Sequence, residues 1–246
     1  MAKNNFDITT LLNFEPPEFL CKNCTHIFGR SEVQDFAFDL DWLRCPICGK
    51  HYINEEEFHY VKFDDNIFEH SRELANFAHL MEKSLKDKKT PPLGILLKVL
   101  LSAQCFIHLT SYGMSHALLG VLKILSQKVD IRGLVSNVDD PLFKEINDHT
   151  DENPNLNIVA LVATKTYRRV EDQIPHQKLI VIDGLLAFAG STNFTLSAWR
   201  NAREGREHVQ IITDLGEIRE LHDRLFSQHW YKLNPNSQDY SDEIPF

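Results

Sequence analysis

The 246-residue sequence has no apolar run long enough to cross a bilayer. A membrane span needs about 20 mostly apolar residues, and the most apolar region, 93–125, is interrupted by Lys98, Gln104, His108 and His116. That region is therefore expected to be buried core. The opening MAKNNFDITTLLNFEPP lacks a continuous apolar stretch, so no secretory signal is expected there. Together these absences predict a soluble, cytoplasmic protein with no membrane partner. No internal repeat is visible, and a 43% hydrophobic, 25% charged composition is that of an ordinary globular chain. The length suits one sizeable domain plus a small accessory module. An overall excess of positive charge is also missing. The net charge is −9, which at first argues against a polyanionic partner. Its distribution changes that reading: residues 1–70 carry −7 and residues 211–246 carry −4, leaving 71–210 at +2. Lys165, Arg168, Arg169, Lys178, Arg200, Arg203 and Arg206 cluster within this middle part. A local basic surface attracts phosphates whatever the total charge, although for any one of these residues taken alone a solvated face is the commoner reading.

Cysteine is scarce, and its placement is informative. Four of the five cysteines form two pairs, Cys21-Lys-Asn-Cys24 and Cys45-Pro-Ile-Cys48, separated by 20 residues. This is the spacing of a four-thiolate zinc site, in which each pair forms a knuckle and two knuckles complete a tetrahedron. Disulfides are the competing reading, and an intracellular setting disfavours them. Phe36, Phe38, Leu40 and Trp42 alternate between the pairs as a strand would. The expectation is a zinc ribbon holding structural Zn2+ on Cys21, Cys24, Cys45 and Cys48, with no open position for catalysis. Cys105, alone in an apolar stretch, reads as a core residue.

Leu74, Phe77, Ala78, Met81 and Leu85 follow helical spacing and predict a helix over 66–87, ended by KDKKTPP. Strands are expected at 106–112, 129–137, 156–163 and 207–214, with helices at 116–125 and 216–231. Alternating strands and helices imply an α/β layer fold with a largely buried sheet. The organisation expected is a zinc ribbon (1–62), a helical linker (63–92), a catalytic domain (93–233) and an acidic tail (234–246).

Residues 174–194, IPHQKLIVIDGLLAFAGSTNF, concentrate polar groups at fixed intervals in an apolar hairpin. With HQKLIVI as a strand, His176 and Lys178 share a face, and Asp183-Gly184 signals a two-residue turn. A turn that tight pairs Ile182 with Leu185, Lys178 with Ala189, and His176 with Ser191, while Asn193 continues on the same face. Imidazole, ammonium, hydroxyl and carboxamide would then meet in one corner. Asp183 falls on the turn with the opposite parity, which suits an orienting or structural role. An ammonium and amide donors can neutralise a tetrahedral phosphate, and an imidazole can attack it or carry its proton. The chain shows no nucleophile elbow for acyl chemistry and no carboxylate cluster here for two-metal phosphoryl transfer.

The pattern His176-x-Lys178-x4-Asp183 followed by Gly190-Ser191-x-Asn193 resembles the HKD motif of the phospholipase D superfamily, over about residues 93–233. The resemblance implies an α/β fold with a mixed sheet flanked by helices, and a metal-independent phosphodiesterase working through a covalent phosphohistidine. It implies His176 as nucleophile, Lys178 and Asn193 as phosphate ligands, and Ser191 as a supporting hydrogen bonder. Glu207 matches an acidic position that orients the histidine in compact bacterial nucleases of the superfamily. The family uses two motifs, and no other histidine here has a lysine two positions on; His222-Asp-Arg224 comes nearest. A single copy implies a homodimer in which two His176 side chains divide nucleophile and general acid. The expected activity is a nuclease acting on DNA or RNA. A lipid phosphodiesterase and a non-catalytic nucleic-acid or protein reader are the alternatives.

Overall fold

A computed structural model describes residues 19–21, 25–28, 43–44, 51–52, 59–60, 67–87, 89–162, 176–202 and 206–233. Short strands pair near the N-terminus: β1 (Phe19–Leu20) lies between β2 (Ile27–Phe28) and β5 (His59–Tyr60), and β3 (Leu43–Arg44) pairs with β4 (His51–Tyr52). The predicted long helix is α1, Ile67–Lys86. After the Pro91-Pro92 break comes a helix that apolar periodicity alone does not delimit, α2 (Pro92–Ser102), with proline in its first turn, where a missing N–H costs nothing.

The main sheet has six strands, in the order Val209–Ile212, Leu186–Gly190, Lys178–Ile182, Phe106–Ser111, Asp130–Val138 and Leu156–Val162. Parallel pairing joins β6 (Phe106–Ser111), β7 (Asp130–Val138) and β8 (Leu156–Val162). Helices α3 (His116–Leu125) and α4 (Asp140–Glu152) connect them. The half formed by β9 (Lys178–Ile182), β10 (Leu186–Gly190) and β11 (Val209–Ile212) is antiparallel, so the sheet is mixed as expected. The short helix α5 (Leu196–Asn201) starts on the Thr195 hydroxyl, which accepts from the Ala198 amide. The predicted C-terminal helix is three consecutive pieces: α6 (Leu215–His222), a π-helical turn (Asp223–Ser227) and α7 (Gln228–Leu233).

Strand parity divides the core. Ile107, Leu109, Ile131, Val135, Ile180, Ile182 and Phe188 pack against Leu74 and Met81 of α1, Leu96 of α2, Leu119 of α3, Leu142 of α4 and Trp199 of α5. The alternate residues, including Phe106, Leu134, Leu179, Val181, Ala187 and Ala189, pack under Ile218, Leu221, Phe226 and Trp230. Ile27 joins this second layer, and the Thr25 hydroxyl donates to Ser227 Oγ at 3.0 Å, so the N-terminal segment is seated on the C-terminal helix. The second layer also contains polar groups. His108 Nδ1 lies 2.8 Å from His222 Nε2, and Arg132 Nε lies 2.9 Å from Asp130 Oδ2. Among the described residues no helix is long and apolar enough to cross a membrane.

Candidate active site

The β9–β10 hairpin closes on Asp183 and Gly184, both with positive φ (54° and 69°), and Leu185 N–H donates to the Ile182 carbonyl at 3.0 Å. The Asp-Gly turn forms where the sequence indicates, but three residues rather than two separate the paired strand positions, and the register differs from the expected one by a residue. Ile182 pairs with Leu186 and Lys178 with Gly190. Leu185 closes the turn and buries its side chain instead of joining the ladder. Lys178 consequently faces Gly190 rather than Ala189, and β9 starts at Lys178, leaving His176 just outside it. His176 is not paired across from Ser191.

Convergence comes instead from four strand ends: the C-terminal ends of β6 and β10 and the N-terminal ends of β9 and β11 lie at one edge of the sheet. Lys178 is only 5% exposed, and its ammonium lies 3.3 Å from His176 Nδ1 and also donates to the His176 carbonyl. An ammonium can only donate, so Nδ1 accepts and the neutral imidazole carries its proton on Nε2. Burial pushes the Lys178 ammonium below its usual range, and the negative charge of Glu207 opposes that shift. His176 itself is exposed.

Gly190 fixes the other half. Its φ is +146°, and a Cβ there would sit 2.1 Å from the His208 carbonyl oxygen, so only glycine lets the lead-in to β11 approach β10 this closely. That approach lets Ser191 N–H donate to the His208 carbonyl and His208 N–H donate to Ser191 Oγ, each at 3.0 Å. The Ser191 hydroxyl donates to Glu207 Oε2 at 2.7 Å. Asn193 accepts at Oδ1 from Gly113 N–H, 3.1 Å away, which leaves its NH2 as the group available to an incoming oxygen. Ser111 Oγ holds the same junction, donating to the Gly113 carbonyl and accepting from Phe194 N–H.

A profile of the PLD-like domain of cardiolipin synthase matches residues 96–230, more than half of the sequence. The chain belongs to this PLD-like family. Its fold is similar to NucT from Helicobacter pylori, with 18% identity over 58% of this chain and 88% of that one (TM-score 0.41). It is also similar to Nuc, a phospholipase D family member from Salmonella typhimurium, with 18% identity over 57% and 85% (TM-score 0.41). TrmBL2, an archaeal chromatin protein, is similar at 14% identity over 68% and 63% (TM-score 0.38). No curated protein matches the sequence.

In this PLD-like domain neither Asp183 nor Glu207 touches His176. Asp183, on the turn and with the structural role that its parity suggests, is at the far end of β9, about 16 Å from Lys178 at 3.3 Å per residue. It is fully buried, and its Oδ1 accepts from Cys105 N–H and Phe106 N–H while Oδ2 accepts from Gln104 N–H, at 2.8–2.9 Å. His70 Nε2 completes the set at 2.7 Å. Asp183 thus ties the hairpin to the start of β6 and to α1, a helix outside the family match. Glu207 contacts Ser191 and acts electrostatically on Lys178; among the described residues it makes no hydrogen bond to His176. The geometry of β11 explains this, since Glu207 precedes that strand directly beside Ser191.

Tyr112, half-buried at the end of β6, belongs to the site and was not visible as such in the sequence. Its ring centroid lies 5.5 Å from the His176 ring and 5.5 Å from the Lys178 ammonium. The signal that could have found it is the polar–aromatic–glycine ending Ser111-Tyr112-Gly113 at a strand's C-terminal edge. Of the basic cluster, Arg200 and Arg206 are exposed, whereas Lys165, Arg168, Arg169 and Arg203 lie outside the described residues. Cys21 is buried, and its carbonyl accepts from Thr25 N–H. Cys24, Cys45 and Cys48 lie outside the described residues, as does the acidic tail. Cys105 is half-buried.

Proposed function

We propose that the protein is a metal-independent nuclease, cleaving phosphodiesters of DNA or RNA through a phosphohistidine at a site shared by two subunits. The observation that carries this reading is the ammonium of the buried residue Lys178 beside the exposed His176 imidazole, with the Asn193 amide at the same sheet edge. A scissile phosphate would draw the ammonium from His176 to its own oxygen and leave the imidazole a free lone pair. One His176 then attacks phosphorus, and the bond to the leaving sugar oxygen breaks. The partner subunit's His176, as imidazolium, gives that oxygen its proton. Water attacks the phosphohistidine next, its proton passing to the partner subunit's imidazole, and both histidines are restored. Lys178 and Asn193 offset the charge on the phosphoryl oxygens throughout.

The same reading assigns Cys21, Cys24, Cys45 and Cys48 to one structural zinc ion. Four free thiolates suit a reducing compartment, the cytoplasm. Lipid phosphodiesters are the second reading, favoured by the family description, which names a cardiolipin synthase. The test incubates wild type and His176→Ala with labelled DNA, labelled RNA and phosphatidylcholine vesicles in EDTA, with mass measured by light scattering. Cutting of nucleic acid by wild-type dimer, and a loss of at least about a thousandfold in the variant, is the expected result. Release of phosphatidic acid alone would move the assignment to lipid. Equal cutting by both proteins, or an active monomer, would overturn it.

A further inference from the structure

We infer that Tyr112 is a positioning residue of this site, its ring holding the His176 imidazole against the Lys178 side chain. The inference rests on the phosphodiesterase reading for its kinetic consequence, although the geometry stands by itself. His176 precedes the first paired residue of β9, so no ladder hydrogen bond fixes its backbone. Its side chain is exposed and, among the described residues, has two neighbours that can orient it: Lys178 Nζ at 3.3 Å and the Tyr112 ring, 5.5 Å away and tilted by 46°. The three groups close a triangle, because Lys178 Nζ also lies 5.5 Å from the Tyr112 centroid.

Tyr112 is well placed for this work because its own backbone is tightly held. The residues on either side are tied to the segment after β10, Ser111 through Phe194 N–H and Gly113 through Asn193 Oδ1. An aromatic face is electron-rich and attracts a cation within about 6 Å of its centroid. Lys178 as a residue is only 5% exposed, and that attraction replaces part of the hydration its ammonium loses on burial. Lysine is also a long, flexible side chain, and an imidazole bonded to it inherits that freedom unless a rigid surface limits both. The ring supplies that surface. The Tyr112 hydroxyl makes no hydrogen bond to any described residue, so the ring rather than the hydroxyl carries the role. Phenylalanine should therefore replace tyrosine, and leucine should not.

Two measurements on Tyr112→Phe and Tyr112→Leu test this. Steady-state cleavage of the wild-type substrate should show kcat within about twofold for Phe and about tenfold lower for Leu, with KM within about twofold in both. Nitrogen-15 chemical shifts of His176, assigned by difference with His176→Asn and recorded where the imidazole is neutral, should show the Nε2–H tautomer in wild type and Phe. In Leu they should show a mixture of tautomers. Thermal melts check folding, and Tyr112→Met serves if Leu does not fold. Unchanged kcat and tautomer in the folded apolar variant would overturn the inference. So would equal losses in Phe and Leu, or a Leu defect confined to KM. Should wild type cleave no phosphodiester offered, the functional reading fails, and the nitrogen shifts still decide the role of Tyr112.

Discussion

Replacing Asp183 by asparagine changes one buried carboxylate oxygen into an NH2 and leaves the size and the turn conformation nearly untouched, since asparagine tolerates the left-handed φ of 54°. Asn Oδ1 can still accept from Cys105 and Phe106, but the NH2 now faces Gln104 N–H, a group that can only donate. One backbone donor loses its acceptor, costing about 1–3 kcal/mol, and the two surviving hydrogen bonds lose their ionic character. His70 can adjust by changing tautomer, because imidazole accepts as readily as it donates. The sum is a loss of about 3 kcal/mol, equivalent to a fall in Tm of about 6–12 °C for a domain of this size. Asp183→Ala should be worse: it strands three backbone N–H groups and places alanine at an unfavourable φ. The assay is thermal and urea unfolding of wild type and Asp183→Asn, followed by cleavage measured at a temperature where both are folded. With Asp183 about 16 Å from Lys178, kcat per folded molecule should remain within a few-fold of wild type. An asparagine variant as stable as wild type yet catalytically dead would refute the argument, because Asp183 would then be acting in the chemistry.

Gly190→Ala should destabilise the domain by about 2–4 kcal/mol and abolish cleavage even when folded, since the new Cβ meets the His208 carbonyl at 2.1 Å and forces apart the strands that hold Ser191 and Glu207; a melt and an activity assay check both parts. Stability should also fall in mild acid. His222 is held well below the usual imidazole range, chiefly by burial, with His108, His26 and Arg132 adding to the effect. Its neutral form is therefore favoured by folding, and the stability it contributes is present above the unfolded value near 6.5 and lost as pH falls towards the folded one. This share amounts to about 1 kcal/mol between pH 6.5 and 5.5, and urea titrations should show it in wild type and not in His222→Asn. An identical pH slope in the two proteins would count against it.

The motif residues and most elements were legible because their causes are local. Short apolar segments marked β6, β7 and β8, helical spacing marked α1, and Asp183-Gly184 marked the turn, since only such residues enter left-handed backbone without cost. The short helix α5 and the polar helix α4 carry weaker local signals, because capping and packing define them more than periodicity does.

What the sequence by itself determined is the chemistry on offer: His176 and Lys178 two residues apart, Gly190, Ser191 and Asn193 behind a tight turn, and four cysteines in two pairs. What only the tertiary structure decided is which of these groups meet. One unpaired residue, Leu185, shifts the hairpin register by a position, and a two-residue side-chain period makes such a shift change every cross-strand partner. The depth of Lys178, the placing of Glu207 beside Ser191, the ring of Tyr112 and the anchoring of Asp183 by His70 all come from segments 16 to 113 residues apart in the chain. No local pattern encodes such distances, because they are set by how the sheet edges and helices pack.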